Sequence, residues 1–273
     1  MDNYFVSSCK RVKDWICRQF GQKEKKTVHH KKFADGGEVI VWETGRAGEE
    51  AASYEHLFLR KEIAGFRTNI RREQSCSIKS LTRDYLYKQL LSSGEYTFDH
   101  MLVIKDPYGE APLTALALFI LEEPACVRVT TKGNLKETDF VTELPKKKEH
   151  RVPILGMYAE KANDIVIEIL DDEGNCVKSH TFTIRTKRLP KSLRNVITVK
   201  KWTDKPAYSN IMINGGVKIH TCVFDIEGKI RYYLSRKPRG YGIFPLSDGH
   251  FFYMEKYISV PSYSNPQTVE SYD

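Results

Sequence analysis

Ile165-Val-Ile-Glu-Ile-Leu170, Asp171-Asp-Glu-Gly-Asn175 and Val177 to Ile184 decide how this chain folds. The outer two segments are rich in β-branched residues, which favour strands. The middle one is a turn, and Gly174 can adopt the left-handed conformation a tight hairpin needs. The same pattern extends toward the N-terminus. Met101-Leu-Val-Ile104 runs into a turn at Lys105-Asp-Pro-Tyr-Gly109, and Leu113 to Leu121 is an almost unbroken apolar run. Cys126-Val-Arg-Val-Thr130 alternates, and Asp139 to Leu144 and Val152 to Tyr158 are shorter candidates. About seven short strands with no intervening helix predict an antiparallel β-sandwich over residues 100–187. Its expected core is Leu113, Leu116, Leu118, Val127, Ile154, Ile165, Ile167 and Phe182. Strand count alone does not select an immunoglobulin-like topology.

Residues 1–99 read as a helical N-terminal region with a linker. Tyr4, Phe5, Cys9, Val12, Trp15, Ile16 and Phe20 recur at helical spacing, giving an amphipathic helix over 3–20. A structural helix is expected there, with a membrane-surface helix as the alternative. Gln22 to Lys32 is charged and reads as the linker, and Val39 to Trp42 as a short strand. Helical periodicity returns over Glu49 to Arg72 and over Ser80 to Leu91. Ser80 or Thr82 is a candidate cap of the latter, and Ser92-Ser-Gly94 its stop.

Past the basic connector Lys187 to Asn195, a second β pattern begins. Val217 to Phe224, Lys229 to Leu234, Tyr241 to Leu246 and His250 to Ile258 predict four antiparallel strands over 216–258, with turns near Glu227-Gly228 and Asp248-Gly249. That is the size of one β-propeller blade, and a ring needs about four to eight of them. Residues 188–273 therefore read as a connector and a first blade of an incomplete propeller. Either residues 200–273 pack on the sandwich, or the chain is part of a longer protein. The second case leaves Val223, Ile230, Tyr232, Phe244 and Phe252 on exposed faces.

Composition narrows the functional class. Hydrophobic residues at 41% and charged residues at 29% are ordinary for a globular protein. A net charge of +8 fits solvated loops or an anion-steering field. Without a helix-turn-helix, zinc or RNP-type signature, no nucleic-acid partner is expected. The six cysteines form no CxxC pair and read as reduced, mostly buried thiols. Lys10, Arg11, Lys13, Asp14 and Arg18 interrupt the first twenty residues, so no secretory signal is visible, and no run has membrane-span length. The expectation is cytoplasmic, changing to periplasmic or secreted if a leader is missing. The N-terminal region is a candidate oligomerisation surface.

Four stretches resemble one family. Asp106-Pro-Tyr-Gly-Glu-Ala-Pro-Leu-Thr-Ala115 is similar to the "N-P-Y-G-x-A-P-L-T-A" stretch of the N-terminal domain of bacterial arylsulfate sulfotransferases. Asp106 stands where Asn is common; both suit a turn start. His150-Arg-Val-Pro-Ile-Leu-Gly-Met-Tyr158 resembles "H-x-I-P-V-x-G-L-Y", and Asp225-Ile-Glu-Gly-Lys-Ile-Arg-Tyr-Tyr-Leu234 resembles "D-x-x-G-x-V-R-W-Y-L". Leu246-Ser-Asp-Gly-His250 looks like the turn that follows. The resemblance covers about residues 95–273. It implies an immunoglobulin-like sandwich followed by a propeller. It also implies transfer of a sulfuryl group from a phenolic sulfate ester to an acceptor phenol through a sulfohistidine. Donor and acceptor would be partners of the complete protein.

No residue here matches the family's catalytic histidines, so none is assigned as catalytic, cofactor-binding or metal-binding, and no cofactor is expected. The chain by itself is expected to be inactive. A non-catalytic sandwich interaction module is the alternative. His29 and His30 read as solvated, and His100, His150, His180 and His220 as surface or turn residues. His250 is a post-turn residue. Arg231 faces either a propeller axis or an outer surface. Gly109, Gly228 and Gly249 read as turn glycines, and Asp171, Asp172 and Glu173 as a hairpin rather than a calcium loop.

Overall fold

The computed structural model describes residues 28–33, 36–57, 71–200, 210–213, 222–235, 243–245, 251–253 and 270–272. The expected helix over 3–20 lies outside them. Seven strands form one sheet: β1 (Val28–Lys32), β2 (Glu38–Trp42), β3 (His100–Lys105), β4 (Ala115–Thr131), β5 (Phe140–Ile154), β6 (Ala162–Leu170) and β7 (Cys176–Arg185). Helices α1 (Thr44–Ala52) and α2 (Arg71–Ser92) lie between β2 and β3 in the chain. The protein is mainly β, as its sequence predicts.

The long β4–β5 hairpin turns this sheet into a sandwich. β5 pairs with β4 over nearly its whole length. β3 pairs with the first part of β4, from Ala115 to Leu118, and β6 with the last part, from Cys126 to Thr131. The register breaks between Ile120 and Val127, where Glu122, Glu123 and Pro124 are exposed. Such an irregularity lets a strand bend from one face of a sandwich to the other. Leu113 to Leu121 and Cys126 to Thr130, expected as separate strands, are thus one bent strand, and Asp139 to Leu144 and Val152 to Tyr158 merge into β5 in the same way.

The sandwich expected from residues 100–187 has five strands from that segment, not seven. The other two come from residues 28–42, and β2 pairs with β3 in parallel. Val28 to Lys32, read as linker, is a strand paired to β2. All its residues are exposed, so it carries no alternation to betray it.

Two apolar clusters explain the alternation. Val39, Val41, Met101, Val103, Ala117 and Phe119 point inward, against Val127, Val129, Ile165, Ile167, Phe182 and Ile184 of the facing layer. Ile40, Trp42, Leu102, Ile104, Leu116 and Leu118 point outward, under α1 and α2. The helices bury Ala47 and Ala51, and Leu86, Tyr87 and Leu91, each set on one helical face. Strands covered on both faces read as continuous apolar runs, which is why Met101 to Ile104 and Leu113 to Leu121 do. Of the expected core, Leu113, Val127, Ile154, Ile165, Ile167 and Phe182 lie inside the sandwich. Leu116 and Leu118 are buried under the helices instead.

The Asp171–Asn175 turn forms as expected: Gly174 has φ +83°, and the Asp171 carboxylate accepts the Asn175 N–H at 2.7 Å. Helix α2 starts well before Ser80, and the Thr82 hydroxyl donates back to the Lys79 carbonyl at 3.0 Å within the helix rather than capping it. α2 ends at Ser92, followed by Gly94 at φ +73°.

Beyond residue 200 the described strands form two antiparallel sheets of three. One has the order β10 (Ile230–Tyr233), β9 (Cys222–Asp225), β8 (Asn210–Ile213). The other has the order β11 (Ile243–Pro245), β12 (Phe251–Tyr253), β13 (Glu270–Tyr272). Among the described residues β10 does not pair with β11, so the single four-stranded sheet expected over 216–258 is not found. The hairpin turn at Glu227-Gly228 is present. Nor are the faces of β9 and β10 bare. Cys222, Phe224, Ile230 and Tyr233 are buried and belong to the sandwich core cluster. Of the two alternatives read from the sequence, packing on the sandwich holds for this hairpin. No helix among the described residues is long and apolar enough to cross a membrane.

Candidate functional site

The chemistry-bearing side chains concentrate where the β9–β10 hairpin meets the sandwich. Arg231 is fully buried, with 0% of its surface exposed. It faces neither a propeller axis nor an outer surface, as the two readings of its sequence had it, because the hairpin lies against the sandwich. Its Nε–H donates to the Gly156 carbonyl at 2.6 Å. Its Nη1 donates to the Thr138 carbonyl at 2.8 Å and to the Tyr158 hydroxyl oxygen at 3.0 Å. The Asp225 carboxylate, also fully buried, lies 3.3 Å from the same Nη1. The guanidinium carbon sits 3.9 Å from the centre of the Tyr158 ring, where cation–π attraction is strong.

Each partner is held in turn. Asp225 Oδ1 accepts the N–H groups of Glu227 at 3.0 Å and Lys229 at 2.9 Å, which fixes the β9–β10 turn. Its Oδ2 accepts the Tyr158 hydroxyl at 2.9 Å. Asn163 brackets the Tyr158 backbone, accepting its N–H at 2.7 Å and donating to its carbonyl at 3.0 Å. Burial pushes the Tyr158 phenol pKa up, so it stays a neutral donor. Gly156 has φ +76°, and a Cβ there would meet Phe140 side-chain atoms at 2.6 to 2.9 Å. Only glycine presents that carbonyl to Arg231 without a clash.

The Asp106 to Pro112 loop is the second fixed point. Asp106 has φ +44°, a conformation that Asp and Asn tolerate better than other side chains. Its carboxylate accepts the Ala111 N–H at 2.9 Å, a role an Asn carbonyl would fill as well. Burial raises the Asp106 pKa. Helix α2 grips the loop: Arg83 donates to the Pro107 carbonyl at 2.6 Å, the Tyr87 hydroxyl donates to the same oxygen, and Tyr108 donates to Asp84 at 2.6 Å. Arg151 from β5 donates to Asp84 at 2.6 Å and to the Tyr108 oxygen at 3.1 Å. Burial pushes the Tyr108 phenol up to about 12. The loop reaches the hairpin too, because the Ser235 N–H donates to the Glu110 carbonyl at 2.7 Å.

The histidines divide sharply. His29 and His30 are solvated, with side chains 51% and 58% exposed, though they sit in a strand. His100 is half-exposed beside Glu38 at 3.0 Å. His150 and His180, expected at the surface, are buried. Both fall in phase with inward residues, His150 with Val152 and Ile154, and His180 with Phe182 and Ile184. His150 stacks on Phe119 and donates from Nε2 to the Lys147 carbonyl at 2.8 Å, and burial lowers its pKa. His180 is stacked between Phe33 at 4.0 Å and Phe98 at 4.6 Å, with Nε2 2.8 Å from Asp99. The Lys178 hydrogen bond holds the Asp99 carboxyl below its usual range. A shallow open cleft beside this pair is lined by Phe98, Asp99, Ile120, Ile169, Val177 and Lys178. Of its charged groups, Lys178 pairs with Asp99 and Lys146 with Asp172.

His220, Gly249 and His250 lie outside the described residues. Asp171, Asp172 and Glu173 form the hairpin turn, and no group of three or more potential metal ligands occurs among the described residues. Tyr158, Asp225 and Asp99 were not singled out from the sequence. The first two do stand at the ends of stretches that carry the family resemblance.

No curated protein matches the chain. The family model for the arylsulfotransferase Ig-like domain matches residues 102–187, less than half of the chain. That span runs from β3 through β7 and includes Gly156 and Tyr158, the sandwich side of the Arg231 contact. Residues 102–187 are therefore similar to an arylsulfotransferase Ig-like domain, as the resemblance implied.

Proposed function

We propose that this chain supplies the Ig-like portion of an arylsulfate sulfotransferase, the sulfuryl chemistry being carried by a propeller histidine that the described residues do not include. The observation that carries this reading is the family match over residues 102–187. The docking of Asp225 to Tyr233, a stretch with the same resemblance, supports it. In the reaction a neutral imidazole nitrogen attacks sulfur, the aryl S–O bond breaks, and the phenolate leaves. The acceptor phenol then takes the sulfuryl group from the sulfohistidine, its own proton passing to a base. Imidazole suits the first step because it brings no negative charge to the sulfonate. Cationic donors offset the charge building on the leaving oxygen.

His29, His30, His150 and His180 do not meet these needs. His150 and His180 are stacked against aromatic rings inside the protein, while His29 and His30 face open solvent. As part of this proposal, the 273-residue protein is expected to release no nitrophenolate from 4-nitrophenyl sulfate with phenol as acceptor. Adding propeller blades from a family member should restore transfer. Turnover by the 273-residue protein that one His→Ala change abolishes would place the nucleophile in this chain. No turnover with blades added would leave the non-catalytic interaction module.

A further inference from the structure

We infer that Arg231 is a latch: it pins the β9–β10 hairpin to the Ig-like domain and fixes how the hairpin lies on it. This stands whether or not the sulfuryl reading holds. Three sets of groups from two connections of the domain meet at the guanidinium. They are the Gly156 carbonyl after β5, the Thr138 carbonyl before β5, and the Tyr158 ring and hydroxyl. The hairpin supplies both the cation and Asp225. The pin is thus a buried ion pair carried across by one element and received by acceptors of another.

Its chemistry makes it a positional device rather than general packing. A planar guanidinium donates in fixed directions, and an ammonium cannot reproduce a fork that reaches two carbonyls and a phenol at once. The other links between hairpin and sandwich are weaker at fixing direction. Apolar burial of Cys222, Phe224, Ile230 and Tyr233 is tolerant of small rotations. The Ser235 to Glu110 backbone bond and the Asn134 to Glu227 side-chain bond at 3.1 Å are single contacts, at the hairpin's end and at its turn. Removing one partner of a buried pair leaves the other charge without compensation, so the hairpin leaves the surface rather than keep Asp225 buried alone. Strands β3 to β7 keep their own ladder and core.

The test is limited proteolysis of the 273-residue protein with thermolysin, read as cleavage within residues 187–235 against cleavage within residues 140–185. Arg231→Met should speed the first by roughly ten-fold or more while the second stays slow, since local opening of one unit leaves the rest protected. Arg231→Lys should behave like Arg231→Met. Tyr158→Phe, which removes a hydroxyl but almost no volume, should give a smaller change of the same kind and serves if Arg231→Met does not fold. Unchanged cleavage in Tyr158→Phe and Arg231→Met would overturn the latch. So would a lysine variant indistinguishable from the parent, or simultaneous loss of protection in both segments.

Discussion

Strand β6 enters the core with Ile165 and Ile167, which hold it by contact area; strand β10 enters the same core with Ile230 and, one residue on, a fully buried arginine. The two regions share one apolar cluster but are fixed by different physics. Area-driven contacts are non-directional and degrade by degrees. A buried charge with four acceptors around it is directional and fails when one partner goes. The sandwich is therefore expected to tolerate conservative repacking, and the hairpin junction to tolerate almost none.

The largest effect should come from the junction. Asp225→Ala leaves the Arg231 charge without its carboxylate and frees the β9–β10 turn, and should cost about 3–5 kcal/mol. Urea melts followed by circular dichroism measure it, and a cost under about 1 kcal/mol would remove the contrast between the regions. Ile167→Val, at a fully buried core position, should cost only about 0.5–1.5 kcal/mol in the same melts. If Ile167→Val proved the costlier change, the junction would be ordinary packing.

Smaller effects appear as pH dependence. Burial lowers the His150 pKa from 6.5, so the unfolded chain takes up that proton at a higher pH than the folded one. The contribution is full above about pH 6.5 and lost as pH falls through the lower folded value. His150→Gln keeps a donor toward the Lys147 carbonyl and should flatten the stability profile on the acid side of 6.5. An unaltered slope would mean that His150 is not the titrating group. Asp106 has the opposite sign. Burial raises its pKa from 3.8, so its contribution is full below 3.8 and declines as pH rises through the raised value. Asp106→Asn keeps the acceptor for the Ala111 N–H and should be more stable than the parent at neutral pH, the gain vanishing below 3.8. A variant less stable at neutral pH would show that the carboxylate charge itself is wanted, for instance by Arg83.

The strands of the sandwich were legible wherever one face is buried and the other wet: Ile165 to Leu170, the Asp171 turn and Val177 to Ile184 all lie where alternation puts them. Strand β1 was hidden because all five of its residues are exposed. The joining of two expected strands into β4 was hidden by Glu122, Glu123 and Pro124, which look like a loop but form the outward bend of one strand. His180 could have been found. It shares parity with Phe182 and Ile184, and a histidine in the inward phase of a strand needs a hydrogen-bond partner, here Asp99. Arg231 could not. Its neighbours Tyr232 and Tyr233 give no sign of which face is buried, and the acceptors that receive it lie 73 to 93 residues away. Asp106 shows the reverse case, where a departure from the family pattern makes sense once its φ and its bond to Ala111 are known.

Native-state hydrogen exchange of the unmodified protein tests most directly whether the β9–β10 hairpin is part of the same folded unit as the Ig-like domain. The account predicts that the paired amides of Cys222 to Asp225 and Ile230 to Tyr233 are protected to the same degree as those of Ile165 to Leu170. All would then exchange only when the whole unit opens. Hairpin amides exchanging orders of magnitude faster than those of β6 would contradict it, and would mean that Arg231 and Asp225 hold nothing in place.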